Sequence, residues 1–155
     1  AAQIDARVFR TIEQMHVEYP YSRQLAAKAS GLLVMPLVTE AGFGLGAGYG
    51  RGALVVNGSV KIYYSSISAN TGIQLGAQQY AHVLFFMTDT ALTQFEYSMG
   101  FSAGGDLEYI TPSISESLRI ETLTTLSPVI ALVFGQAGLK VGATLEGSKY
   151  TKLRF

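Results

Sequence analysis

The chain has no cysteine, so disulfides and every thiolate metal or redox site are excluded. Charge is scarce: 14% of the residues are Asp, Glu, Lys or Arg, against about 25% in ordinary globular chains. Neither sign dominates. Eleven basic residues balance eleven acidic ones, so no whole-chain field draws in nucleic acid or acidic substrates. Apolar residues make up 48%, which excludes a disordered, solvated chain. Long apolar runs are also missing. The stretch 62–88 is free of charge, but Ser, Asn, Gln and Thr fill its first half. The stretch 122–139 is broken by Pro128, Gly135 and Gln136. Neither reads as a transmembrane helix. Residues 1–5 show no basic n-region and no apolar h-region, so no signal peptide is read there.

Glycine is what the chain has in excess: seventeen of 155 residues, where about 7% is usual. There is no Gly-X-Y period, so collagen is excluded. A length of 155 predicts one domain over residues 1–155. At that size about 70% of the unfolded surface is buried on folding, so no covalent staple is needed.

Two short helices are predicted first. Ile4, Val8, Ile12, Met15 and Tyr19 recur at steps of four and three, which lines one helical face over 4–19. Pro20 ends that helix. Ser22 is placed to cap a second one through Ala29, and Gly31 to close it. After Gly31 the period shortens. Residues 32–35 read as an apolar strand stopped or bent at Pro36. Over 41–52 glycine takes every even position, while Ala41, Phe43, Leu45, Ala47, Tyr49 and Arg51 take the odd ones. In a single strand this leaves one face without side chains. Such a face suits close packing on the backbone or sharp curvature.

Asn57-Gly58 joins strands 53–56 and 60–64 as a hairpin. Residues 72–77 form a further strand candidate. Continuous apolar runs at 83–87 and 129–134 read as buried central strands. Thr88 or Asp89 caps a helix to about Ser98, with Gly100 at its end. Residues 101–110 look strand-like, 111–127 read as loop with weak strand, 139–145 pairs back on 129–134, and 148–153 is a final strand. The fold class is α+β: a curved, mostly antiparallel sheet covered by the N-terminal helices and one internal helix over about 89–98.

The search for chemistry returns little. Gly44-x-Gly46 is followed by Gly48, which breaks the G-x-G-x-x-G spacing, and a strand follows where a dinucleotide site needs a helix. No phosphate-binding P-loop and no G-x-S-x-G elbow occur. His16 and His82 lack metal-site spacing and read as structural histidines. Asp106 and Glu108 alternate onto one strand face, as a solvated edge. The Asn57-Gly58-Ser59 sequon is better explained as a turn. Catalytic residues, metal ligands and cofactors are therefore expected to be none. Basic residues gather at both ends: Arg7, Arg10, Arg23 and Lys28, then Lys149, Lys152 and Arg154. Brought together they would suit phosphate headgroups, at about 1 kcal/mol per residue near an anionic surface.

Several segments, taken in order, resemble the SYLF domain family. They are Ala29-Ser30-Gly31-Leu32-Leu33-Val34-Met35-Pro36, Ala41-Gly42-Phe43-Gly44-Leu45-Gly46, Tyr49-Gly50-Arg51-Gly52, Gln74-Leu75-Gly76-Ala77-Gln78 and Leu84-Phe85-Phe86-Met87-Thr88-Asp89. The series closes with Pro128-Val129-Ile130-Ala131, Phe134-Gly135-Gln136-Ala137-Gly138-Leu139 and Leu145-Glu146-Gly147-Ser148-Lys149. The chain departs from the family around 98–126, where members show a clearer glycine-rich strand pair. The resemblance implies a non-enzymatic domain that binds membrane phospholipids, with phosphoinositides preferred in eukaryotic members and an N-terminal amphipathic helix engaged in membrane contact. It also implies a bacterial lipoprotein on the periplasmic side of a membrane, lipid-anchored in full-length form. Arg7 and Arg10 are then expected to contact headgroups first, with Arg23, Lys28, Lys149 and Lys152 next. Anionic phospholipid is the expected partner and nucleic acid is not. Actin binding, a property of some eukaryotic members, rests on segments this chain does not match. Two other readings compete. A small outer-membrane β-barrel fits eight strands of about ten residues into this length. A hydrolase built on His82 has no spacing to support it.

Overall fold

The apolar stripe of the N-terminus forms helix α1 (Ala2–Glu18), and α2 (Tyr21–Lys28) follows across Pro20. The computed structural model describes residues 1–43, 45–71, 76–98, 100–103, 107–110, 127–135, 138–139, 145 and 147–154. After the helices come β1 (Gly31–Phe43), β2 (Leu45–Val56), β3 (Ser59–Thr71) and β4 (Gly76–Phe86). Helix α3 (Asp89–Tyr97) precedes β5 (Phe101–Ser102), β6 (Glu108–Tyr109), β7 (Val129–Gly135), β8 (Gly138–Leu139) and β9 (Lys149–Leu153). The class is α+β, as expected. Strands pair in the order β5-β9-β3-β2-β1-β4-β7-β6, with β8 beside β7. All described pairings are antiparallel except β6 with β7.

This order forces the sheet to curl. β5 and β6 stand at opposite ends of it, yet only residues 103–107 connect them. That link reaches at most about 22 Å, whereas the same strands laid flat would hold their edges about 33 Å apart. The edges must therefore approach, giving a half-barrel. Side chains confirm the approach: Tyr150 on β9 and His82 on β4, with β3, β2 and β1 between them in the order, share a hydrogen bond of 2.9 Å.

Each face of the sheet has its own apolar cluster. Leu33, Met35, Leu54, Tyr64, Leu84, Phe86 and Tyr150 fill the concave side, closed by Leu92 and Phe95 of α3. Val8, Met15 and Leu25 of α1 and α2 cover Val34, Val55, Val83, Phe85 and Leu132 on the convex side. Val8 and Met15 are fully buried, each stabilising by roughly 1.5–3 kcal/mol. Tyr63 donates to the Asp5 carboxylate at 2.6 Å and fixes α1 over β3. This arrangement is not that of a transmembrane barrel, whose outward face is an apolar band against lipid: here helices lie on that face. Among the described residues no helix is long and apolar enough to cross a membrane.

Several local expectations are corrected. Ser22 is not a cap. It sits inside the first turn of α2, where its hydroxyl is 2.7 Å from His16 Nδ1 and 3.3 Å from the Met15 carbonyl it donates to. Gly31 opens β1 rather than closing α2, and a Cβ there would lie 2.9 Å from Leu92 Cδ1. Pro36 bends β1 without ending it, through a bulge that shifts register against both neighbours. The glycine alternation over 41–52 is not one strand. β1 runs to Phe43 and β2 starts at Leu45, with Ala41 paired to Ala47 and Gly42 to Gly46; Gly44 lies outside the described residues. Helix α3 ends at Ser98 in extended backbone, before Gly100. Residues 101–110 split into β5 and β6, which stand at opposite ends of the strand order. Asn57 and Gly58 both take positive φ, 53° and 78°, as the two-residue hairpin turn requires. Much of 72–77, all of 111–126, 140–144 and Asp106 lie outside the described residues.

Candidate functional site

The convex face is only partly covered. Helix α1 lies across β1 and β2, and beyond its N-terminal end the face is open. Directly opposed residues of antiparallel strands share a face, so the register reads out what stands there. One row crosses Gln79, Thr39, Tyr49, Ile67 and Lys149 on β4, β1, β2, β3 and β9. The next carries Leu37, Arg51, Ser65 and Thr151. Tyr63, which reaches α1, stands in the row after that, so these rows belong to the helix side.

A groove of 320 Å³ runs between the helix and this face. Gln3, Ile4 and Arg7 form its helical wall, and Pro36, Leu37, Thr39, Tyr49, Gly50 and Arg51 its floor. A second groove of 330 Å³ continues past Pro36 and Leu37 along Thr11 and Gln14 towards Gln79, Ala81 and Phe134. Arg51 is held in place: its Nε donates to Tyr49 Oη at 2.9 Å, and its guanidinium carbon is 5.9 Å from the Tyr49 ring centre. Both side chains are exposed, Tyr49 at 47%.

The six basic residues singled out in the sequence do not form one patch. Arg7 lines the groove, and Arg10 is exposed on the same helix. Lys149 shares the convex face through its pairing with Ile67. Lys152 is opposed to Tyr64, a concave-side residue, and so belongs to the other face. Arg23 lies beside His16, whose pKa is lowered by burial and then by that guanidinium. Lys28 occupies the last turn of α2. The apolar stripe of α1 serves the core, so membrane contact by this helix in the folded chain falls to its outward residues.

Sequence reasoning missed Arg51. The signal was present: alternation places it with Tyr49 on the face opposite glycines 48, 50 and 52.

The concave side holds the buried polar groups. Tyr80 donates to Glu40 at 2.6 Å, and His82 is fully buried against Tyr150. Burial drives His82 down to about 3 and raises Tyr80 and Tyr150 well above the ordinary phenol range. His82 is thus held neutral by burial, and among the described residues no carboxylate is hydrogen-bonded to it. No cluster of three or more His, Cys, Asp or Glu stands among the described residues.

A family model described as Ysc84, Las17-binding protein actin regulator, matches residues 67–154. No curated protein matches the chain.

Proposed function

This chain belongs to the Ysc84 family, and from that membership we propose that residues 1–155 form one SYLF domain that binds anionic phospholipid headgroups at a membrane surface, phosphoinositide-like headgroups included, without catalysing a reaction. The observation that carries the reading is the convex face, where Arg7, Arg51 and Lys149 stand on the same side of the sheet as exposed Leu37, Tyr49 and Ile67. Cations beside exposed apolar groups suit the boundary between headgroups and acyl chains. Arg10 adds charge from the helix; Arg23, Lys28 and Lys152 contribute from outside this face. The family description names a Las17-binding actin regulator, but the reading proposed here is lipid binding, and actin is not proposed as a partner. Placement on the periplasmic side of a bacterial membrane rests on the resemblance to bacterial lipoproteins.

Sedimentation with vesicles tests the reading. The chain is expected to pellet with phosphatidylcholine–phosphatidylglycerol vesicles at low salt, to be released as salt rises, and to stay in the supernatant with phosphatidylcholine alone. Absence from both pellets at low salt would sink the phospholipid claim.

A further inference from the structure

We infer that the chain meets the bilayer with the open convex face of its sheet, Arg7 and Arg51 flanking a headgroup phosphate while Leu37, Tyr49 and Ile67 enter the interface. This rests on the phospholipid reading above and assigns it a surface and an orientation.

Three observations converge on this face. The first is exposure. Leu37 is 44% exposed, Tyr49 47% and Ile67 54%, and register sets them on neighbouring rows of three adjacent strands. Strands lie about 4.8 Å apart, so the three side chains form one patch rather than scattered singles, and contiguous exposed apolar groups mark an interaction surface. The second is charge. Arg7 on the helical wall and Arg51 on the sheet floor line a single 320 Å³ groove together with Pro36 and Leu37. Among the described residues no carboxylate pairs with either guanidinium. The nearest acid of the helix, Asp5, accepts from Tyr63, and Glu40 of β1 is buried on the concave side with Tyr80. The guanidinium groups of Arg7 and Arg51 are therefore left without a carboxylate partner among the described residues, and guanidinium donors match phosphate oxygens. The third is what the helix cannot do. Val8 and Met15 are fully buried against the sheet, so inserting the apolar side of α1 into lipid would expose the convex core. The sheet face reaches lipid with the fold intact.

The chain has no tryptophan, so a single introduced indole reports its own surroundings. In Ile67→Trp the emission is expected to shift to the blue on adding phosphatidylcholine–phosphatidylglycerol vesicles. In Tyr97→Trp it is expected to stay put, because Tyr97 is 82% exposed on α3, on the concave side. Partitioning gives the second readout. Arg51→Gln lowers binding about fivefold, and Arg7→Gln with Arg51→Gln about thirtyfold, from roughly 1 kcal/mol per cation at an anionic surface. Lys61→Gln removes the same charge from the α3 side, where Lys61 pairs with Glu96 at 2.6 Å, and leaves binding within about twofold on the same scale. Arg7 and Arg51 are both exposed, and matched melting temperatures confirm that the variants fold. Full binding by the double variant, or a shift at position 97 in place of 67, overturns this surface while the phospholipid reading stands. A wild-type chain that pellets with neither vesicle overturns both.

Discussion

At Gly52 the Val34 carbonyl of β1 stands where a Cβ would go, with Met35 Sδ 2.9 Å from the same point. Gly50 is obstructed by the Leu37 carbonyl at 2.8 Å. The two carbonyls are backbone, on either side of the bulge at Pro36, and they cannot rotate away. At Gly48 the neighbours are the Ser68 hydroxyl and the Glu40 stem, which can shift. Gly52→Ala is therefore expected to cost about 3 kcal/mol, the upper end of overpacking, and Gly48→Ala about 1 kcal/mol. Urea denaturation midpoints would show the order, and equal losses would remove the bulge as the cause. The sequence announced a glycine face and left two reasons for it open, close packing on backbone or sharp curvature. It did not say what packs there, because the carbonyls come from a different strand. Arg51 was readable in the same pattern as the single cation on the side-chain face, but its groove partner Arg7 lies in a helix whose docking only the fold sets.

Among the elements, α1 was the most legible, since a stripe at steps of three and four has one helical meaning and Val8 and Met15 are buried as it requires. Helix α3 was legible through its cap: Thr88 Oγ1 accepts from the Ala91 amide at 3.1 Å. Thr88→Ala is expected to lower stability by about 1 kcal/mol, as loss of an N-cap does, while Thr88→Ser stays near wild type; thermal melts compare them. A full loss in the Ser variant would mean that the methyl group, not the cap, matters. β1 was less legible. Leu33 and Met35 face the concave cluster and Val34 the convex one, but beyond Pro36 the even-numbered Val38 faces the concave cluster. The bulge inverts the alternation in mid-strand, so a period-two reading carried across it assigns the wrong face. β5 and β6, two residues each, have no period to read; their pairing follows from the edges they meet.

For the whole molecule, His82 and Tyr150 join β4 to β9 across the interior of the curl. His82 is held neutral by burial, with a folded pKa of about 3 against an ordinary 6.5. Between those values the unfolded chain binds a proton that the folded chain refuses, so stability rises with pH there and is lost as pH falls from 6.5 towards 3. One such group contributes a slope of up to about 1.4 kcal/mol per pH unit. His82→Gln removes the titration. Its stability, followed by urea melts from neutral to acidic pH, is expected to fall less steeply than that of the wild type by about that slope. Parallel curves would show that His82 is not a buried neutral group. By itself the sequence determined a first helix, read over 4–19 and found at Ala2–Glu18, the Asn57-Gly58 hairpin, the buried runs of β4 and β7, the α+β class and the family, because each follows from local periodicity, turn chemistry or ordered motifs. The tertiary structure alone decided which cations share a surface. Strand register set Lys149 beside Ile67 and turned Lys152 to the other face, and the docking of α1 brought Arg7 to Arg51. Those are contacts between residues far apart in the chain, and neither composition nor spacing encodes them one residue at a time.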